Sequence, residues 1–257
     1  MATGGKQNLL INVPYRMVRP RLGDIVSLGI GIEVYLSNYA LDEIEAGDVR
    51  EVGRLLADQG VTCTCHAPFA DLSPGGIDRQ IRHISKEKLK KAVEMGNIMG
   101  AKGVVCHGGY DRWRLGGHEE LWLANSVETW TELLGAAGDM PLFVENVFEE
   151  TPETILALLD RFKEKNLWFC FDTGHFNLFT KVSLEAWLAP LTGRLRELHI
   201  HDNHGGSDEH LPVGHGTFPF RELKRFLRSR DDLIFTAEAP SKSSAHEALR
   251  CAREFLS

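Results

Sequence analysis

The sequence predicts an α/β protein, a single (β/α)8 barrel occupying residues 1–257. Two observations carry this. Eight short apolar runs recur along the 257 residues with longer amphipathic stretches between them, and strands separated by helices form parallel βαβ units. A chain of about 250 residues suits eight such units closed into one barrel. No linker or low-complexity segment divides it.

The runs are Leu9–Val13, Ile30–Tyr35, Thr62–His66, Gly103–His107, Leu142–Asn146, Leu167–Asp172, Leu195–Ile200 and Leu233–Glu238. Helical periodicity falls on Val49–Gln59, Ile77–Met99, Leu121–Ala137, Pro152–Lys163, Leu184–Leu191, Phe220–Ser229 and Ala245–Leu256. Thr151 is expected to cap the fourth of these, with Pro152 in its first helical position. The one long irregular stretch follows the first run, and long loops tend to carry function.

A hydrophobic content of 43% with 25% charged residues describes a soluble globular protein with a large core. No apolar run approaches the ~20 residues that cross a bilayer. The opening "MATGGKQNLLINVPY" lacks the basic, apolar and small-residue order of a secretory signal. Five cysteines, Cys63, Cys65, Cys106, Cys170 and Cys251, lie mostly inside apolar runs. They read as buried, reduced thiols of a cytoplasmic protein rather than a disulfide framework. Cys63-Thr-Cys65 has no second cysteine pair to complete a zinc site, so core packing is its expected role. The net charge of −7, from 29 basic and 36 acidic residues, counts against a duplex nucleic-acid partner, which calls for a basic stripe. The densest basic cluster, "SKEKLKK" at Ser85–Lys91, has the spacing of a solvated helix face.

Chemistry concentrates elsewhere. The segment "ELHIHDNHGGSDEHLPVGHG", Glu197–Gly216, holds five of the eleven histidines. The ends of the third to eighth runs supply His66, His107, Glu145, Asp172, His199 and Glu238. In a parallel barrel the C-terminal strand ends converge on one mouth. Singly, each residue has an ordinary reading as a hydrogen-bonded histidine or a helix cap. Together they make a metal centre, since imidazoles and carboxylates are ligands and clustered carboxylates call for cations. His199 and His201 share one face of the seventh strand. Glycines at 205, 206, 214 and 216 let the following loop return Asp208 and His210 to the site.

"DTGH" after the sixth strand, "HIHD" closing the seventh and "E-x-P" closing the eighth resemble the xylose-isomerase-like TIM barrels. That superfamily includes AP endonuclease family 2 (endonuclease IV) and the sugar-phosphate isomerases and epimerases. The resemblance spans nearly the whole chain. It implies a mononuclear metal site at Glu145, Asp172, His199 and Glu238, with Glu145 and Glu238 as catalytic acid and base. For the trinuclear zinc site of endonuclease IV it implies nine ligands: His66, His107, Glu145, Asp172, His175, His199, Asp208, His210 and Glu238. Asp208-x-His210 is the feature most like the endonuclease, and the substrate-binding arginine that epimerases tend to place nearby is absent. The loop "APFADLSPGG" after His66 carries Asp71 and no basic residue, where the endonuclease has residues that wedge into DNA.

The reading placed first is a metal-dependent sugar or sugar-phosphate isomerase/epimerase, in which one glutamate removes a proton beside a chelated carbonyl and the other returns it. His175 and His201 would orient substrate hydroxyls, Trp113 of "GGYDRWR" would cover a sugar face, and Arg112 and Arg114 would meet a phosphate. Loop packing suits Trp113 equally well, and surface arginines are common. The alternative is multinuclear zinc phosphoester hydrolysis, and the third is a non-catalytic metal- or ligand-binding barrel. The expected cofactor is a divalent ion, Zn²⁺ or Mn²⁺, one to three per chain. The expected partner is a small sugar or phosphorylated substrate, with no membrane; pairing into a homodimer is left open.

Overall fold

The computed structural model describes residues 8–227 and 230–257. Within them eight parallel strands close into a barrel in chain order: β1 (Asn8–Pro14), β2 (Gly31–Tyr35), β3 (Cys63–His66), β4 (Val104–His107), β5 (Leu142–Glu145), β6 (Leu167–Asp172), β7 (Leu195–Ile200) and β8 (Ile234–Ala237). Closure runs from Asn8 opposite Ile234 to Ile11 opposite Ala237. Every expected run coincides with a strand to within one residue at each end.

Period-two alternation sorts the strand residues into two sets. Outward-facing Ile32, Val34, Val104, Val144, Phe171 and Leu198 are buried in one continuous core with the surrounding helices, where Trp122, Trp130 and Trp187 are also fully buried. Inward-facing residues stack in layers along the barrel. An apolar floor of Val105, Phe143 and Cys170 is flanked by Trp168 and Ile234. Beside it in the barrel interior Glu33, Thr64, Glu197 and Thr236 are fully buried. Thr236 donates to Glu197 at 2.7 Å, and Asn12 donates to Glu33 at 3.0 Å. Burial, reinforced by Glu33, lifts the Glu197 carboxyl to about 8. Beyond these residues is the mouth, so the packed interior leaves one open end for polar chemistry.

Helices Ala46–Asp58, Arg79–Met99, Glu119–Ala137, Glu153–Asp160, Leu184–Leu188, Phe220–Leu227 and Lys242–Leu256 answer the expected helical stretches. Arg228 and Ser229, at the end of the expected Phe220–Ser229, lie outside the described residues. Thr151 is not the cap. Pro152 is, its carbonyl accepting from Leu156 N at 2.9 Å. The stretch after β1 is not irregular but folds as Tyr15–Val18 and Leu22–Leu28, helices too short for a 3.6-residue period to register. All five cysteines are free and buried, with Cys63 and Cys65 packed in the outer core. Among the described residues no helix is long and apolar enough to cross a membrane.

One carboxylate shapes the loop after β7. Fully buried Asp202 accepts from the backbone N–H groups of Asn203 (2.9 Å), Gly214 (3.1 Å), Gly216 (2.9 Å) and Phe218 (3.0 Å). Residue 216 must be glycine, because a Cβ there would lie 2.2 Å from the Asn203 carbonyl oxygen. Asp202→Ala should therefore cost about 3 kcal/mol or more by stranding these donors. Urea unfolding reads this as a lowered midpoint at constant slope; a loss under about 1 kcal/mol would contradict the staple.

Candidate metal centre

Strands β3 to β7 carry His66, His107, Glu145, Asp172 and His199 to the mouth, and Glu238 follows β8 directly. Asp172 also caps helix Thr173–Phe179, accepting from His175 N at 2.6 Å. That cap turns the His175 imidazole back, so Nδ1 lies 3.1 Å from Glu145 Oε1 and 3.4 Å from Asp172 Oδ1. The stapled loop brings in Asp208 and His210. Thus all nine residues with endonuclease-type counterparts meet in one place.

Glu145 is the hub. Its Oε2 faces His66 Nε2 at 3.1 Å and His107 Nε2 at 3.3 Å, while Oε1 faces His175 and His199 Nδ1, the latter at 3.5 Å. Glu238 lies 3.5 Å from the same His199 Nδ1 and accepts from His210 Nε2 at 3.0 Å. Asp208 spans His175 Nε2 at 3.7 Å and His210 Nδ1 at 3.5 Å. His210 has φ +49°, a left-handed conformation unfavourable for a residue with a Cβ. The turn aims its ring at Glu238, a strained geometry of the kind kept where function needs it.

His201 enters the same cluster, with Nε2 3.1 Å from Asp172 Oδ2 and Nδ1 3.8 Å from Asp208 Oδ1. It fits because residue 174 is glycine; a Cβ there would sit 2.0 Å from the ring. The His201 and His210 rings lie parallel within 6°, with centroids 4.2 Å apart. Lone pairs in the planes of stacked rings do not converge on one ion, so these two histidines do not share a ligand position as placed.

Three further carboxylates escaped sequence reasoning because they sit within or just after apolar runs. Glu33 Oε2 accepts from His199 Nε2 at 3.3 Å, which leaves Nδ1 facing the other donors and fixes the tautomer. Glu197 is fully buried inside the barrel, where it accepts from Thr236. Glu149 is buried and accepts from Val147 N at 2.7 Å, and burial raises its carboxyl to about 7. The alternation of β2 could have flagged Glu33, an acid on the inward face between Ile32 and Val34.

The donor set fits divalent metal. His199 Nδ1 and His201 Nδ1 are buried without a hydrogen-bond partner, in a cluster dense with carboxylate oxygens. Groups such as His66/Glu145/His199 and Glu145/Asp172/His175 present ligand atoms within 4.8 Å of one another. Mixed imidazole and carboxylate donors suit Zn²⁺ or Mn²⁺ more than Ca²⁺.

The outer residues separate. Arg114 lines the cavity above the cluster. Arg112 instead pairs with Glu150. Trp113 is 89% exposed and lies outside the cavity lining. Asp111 caps the short helix Arg112–Leu115 through Trp113 N at 2.9 Å, and this single turn carries the indole into solvent. Sugar-covering by Trp113 and phosphate-binding by Arg112 are therefore not supported in this arrangement.

Charge is stored in the cluster. Burial alone would lower the histidines, but facing carboxylates raise His66 to about 9, His175 to about 10 and His210 to about 9. Only His107 moves down, its burial outweighing Glu145. Burial alone would raise Glu145 and Glu238, yet neighbouring histidines, His107 and His199 for the first and His199 and His210 for the second, hold both well below the carboxylate range. A histidine raised on folding stabilises below its unfolded value near 6.5 and loses that contribution as pH passes the folded value. Chelator-treated protein should therefore lose thermal stability from about pH 6.5 to 10, and the carboxylates should withdraw theirs on acidification below about 4.5. Zinc must displace the histidine protons, so the stabilisation it adds should grow with pH across the upper window. Melting curves with chelator and with zinc should diverge as pH rises; parallel curves would contradict the assignment.

Residues 26–257 match the family model described as xylose isomerase-like TIM barrel. The uncharacterized protein MJ1311 of Methanocaldococcus jannaschii is 29% identical over 214 residues, 76% of this chain and 70% of the relative. A probable endonuclease 4 of Symbiobacterium thermophilum is 30% identical over 214 residues, 74% of this chain and 76% of the relative. Among solved structures, a D-tagatose 3-epimerase-like protein superposes with a TM-score of 0.82 at 23% identity, covering 97% of each chain. With its barrel closed, its mouth lined by these donors and the family model matched over nearly its whole length, this chain belongs to the xylose isomerase-like TIM barrel family.

Proposed function

We propose that the chain is a multinuclear metal-dependent phosphodiesterase acting on small molecules. One observation carries the reading: Glu145 faces four histidines at 3.1–3.5 Å, within a donor set larger than one ion takes. A lone zinc uses about four ligands. Two close groups share Glu145, one with His66 and His199 and one with Asp172 and His175, while His210 faces Glu238 and Asp208 faces His175 and His210. Divalent ions in such sites supply Lewis acidity and activated water. The chain's part is to hold these donors rigid on strand ends, with Glu33 orienting His199 and the Asp202 staple presenting Asp208 and His210. Water adds to phosphorus, the ester P–O bond breaks, and the water's proton leaves with the departing oxygen, giving an alcohol and a phosphomonoester.

DNA is not the proposed substrate. Among the described residues Arg114 is the only lysine or arginine lining the cavity, and the chain carries a net charge of −7. A second reading, the sugar or sugar-phosphate isomerase/epimerase, is favoured by Glu145 and Glu238 each lying 3.5 Å from His199 Nδ1, a pair placed to work as acid and base about one centre. The likeness to the epimerase-like structure agrees with it.

Replacing Asp208 and His210 together by alanine separates the two. In the hydrolase, zinc-loaded wild type should cleave bis(4-nitrophenyl) phosphate. The double variant should lose about 100-fold or more, since groups that merely orient ligands already cost 10–100-fold, and it should lose one metal per chain. An isomerase with one essential ion would cleave no diester, would exchange solvent deuterium into a ketose, and would keep that exchange in the double variant.

A further inference from the structure

The mouth opens into a cavity of about 770 Å³, within the roughly 300–1,000 Å³ of sites that enclose drug-sized ligands. Five aromatic rings line it: Tyr35 ending β2, Phe69 after β3, Tyr110 after β4, Phe148 after β5, and Phe179 ending the helix after β6. Phe69 stacks on His107 with centroids 4.6 Å apart at 16°, and on Tyr35 at 5.7 Å. Phe148 meets Phe179 edge to face at 5.1 Å. Phe69 remains 42% exposed and Phe148 47% exposed. Exposed apolar rings that continue directly from a polar reaction centre mark a ligand surface.

Charge narrows the ligand. Beyond the metal donors the lining offers Arg114 against Asp71 and Asp111, and Arg112 is committed to Glu150. One phosphate at the metal donors is compensated, whereas a run of phosphates finds no cationic cradle. A free sugar would leave much of the aromatic wall bare.

We infer that the substrate is a phosphodiester with a single phosphate and one bulky planar substituent that lies against Phe69 and Phe148. The phosphate part rests on the hydrolytic reading above; the aromatic subsite rests on the wall itself.

Calorimetric titration of zinc-loaded protein with methylphosphonate and with 1-naphthylphosphonate reads the wall without turnover. Wild type should bind the naphthyl compound at least about tenfold more tightly, as one aromatic stacking contact implies. Phe69→Ala and Phe148→Ala should each draw the ratio towards one, with zinc content unchanged. Equal wild-type affinities, or a ratio that ignores both substitutions, would overturn the subsite. A naphthyl preference that persists while bis(4-nitrophenyl) phosphate is not turned over would uphold the subsite and reject hydrolysis.

Discussion

The mouth of this barrel depends on a buried carboxylate, Glu145, that could not be tolerated alone. An ionised carboxylate out of water loses several kcal/mol of solvation unless cations or donors surround it. Here Glu145 is 1% exposed and four imidazoles ring it. Three of those imidazoles are fixed by their own partners: Ala67 O at 2.7 Å for His66 Nδ1, Asn146 O at 3.1 Å for His175 Nδ1, and Glu33 for His199. Removing any one exposes another buried charge, which makes the cluster a cooperative unit. Divalent ions bound here would satisfy the same carboxylates and release protons, so metal and proton would compete for one set of groups.

The fold makes that cluster possible through direction and alternation. Parallel strands bring six ligand-bearing ends to one rim, and period two sends every second residue inward. Beneath the mouth the barrel is filled by apolar Val105, Phe143 and Cys170 together with buried Glu33, Thr64, Glu197 and Thr236. Glu33, inside the barrel, reaches His199 at 3.3 Å, so the interior supports the site. On the outer side the loops add aromatic rings in place of cations, which distinguishes the rim from a surface built for a polyanion.

Much of this was legible in the sequence because six of its strands are short, largely apolar runs with a ligand-type residue at or next to their ends. That signal needs no tertiary information, and β6 and β7 were read to the residue. What depends on side-chain direction was harder. Trp113 and Arg112 stand next to Arg114, but one helical turn sends only Arg114 to the cavity. Glu33 was hidden in the apolar run of β2, where alternation, rather than composition, shows that it points inward. Nothing in the sequence singles out the Phe69 and Phe148 rings, since exposure cannot be read from a residue's identity. The staple at Asp202 has no local signal, because its four backbone donors come from positions as far as 16 residues along the chain.

The central claim is that the mouth holds more than one ion. Anomalous diffraction at the zinc edge, on crystals of untagged protein grown with zinc, measures this directly. Two or three peaks are expected among Glu145, Glu238, Asp208 and the surrounding histidines, with Glu145 between two of them. A single peak bounded by Glu145, Asp172, His199 and Glu238, with His66, His107, Asp208 and His210 free of metal at saturating zinc, would contradict it.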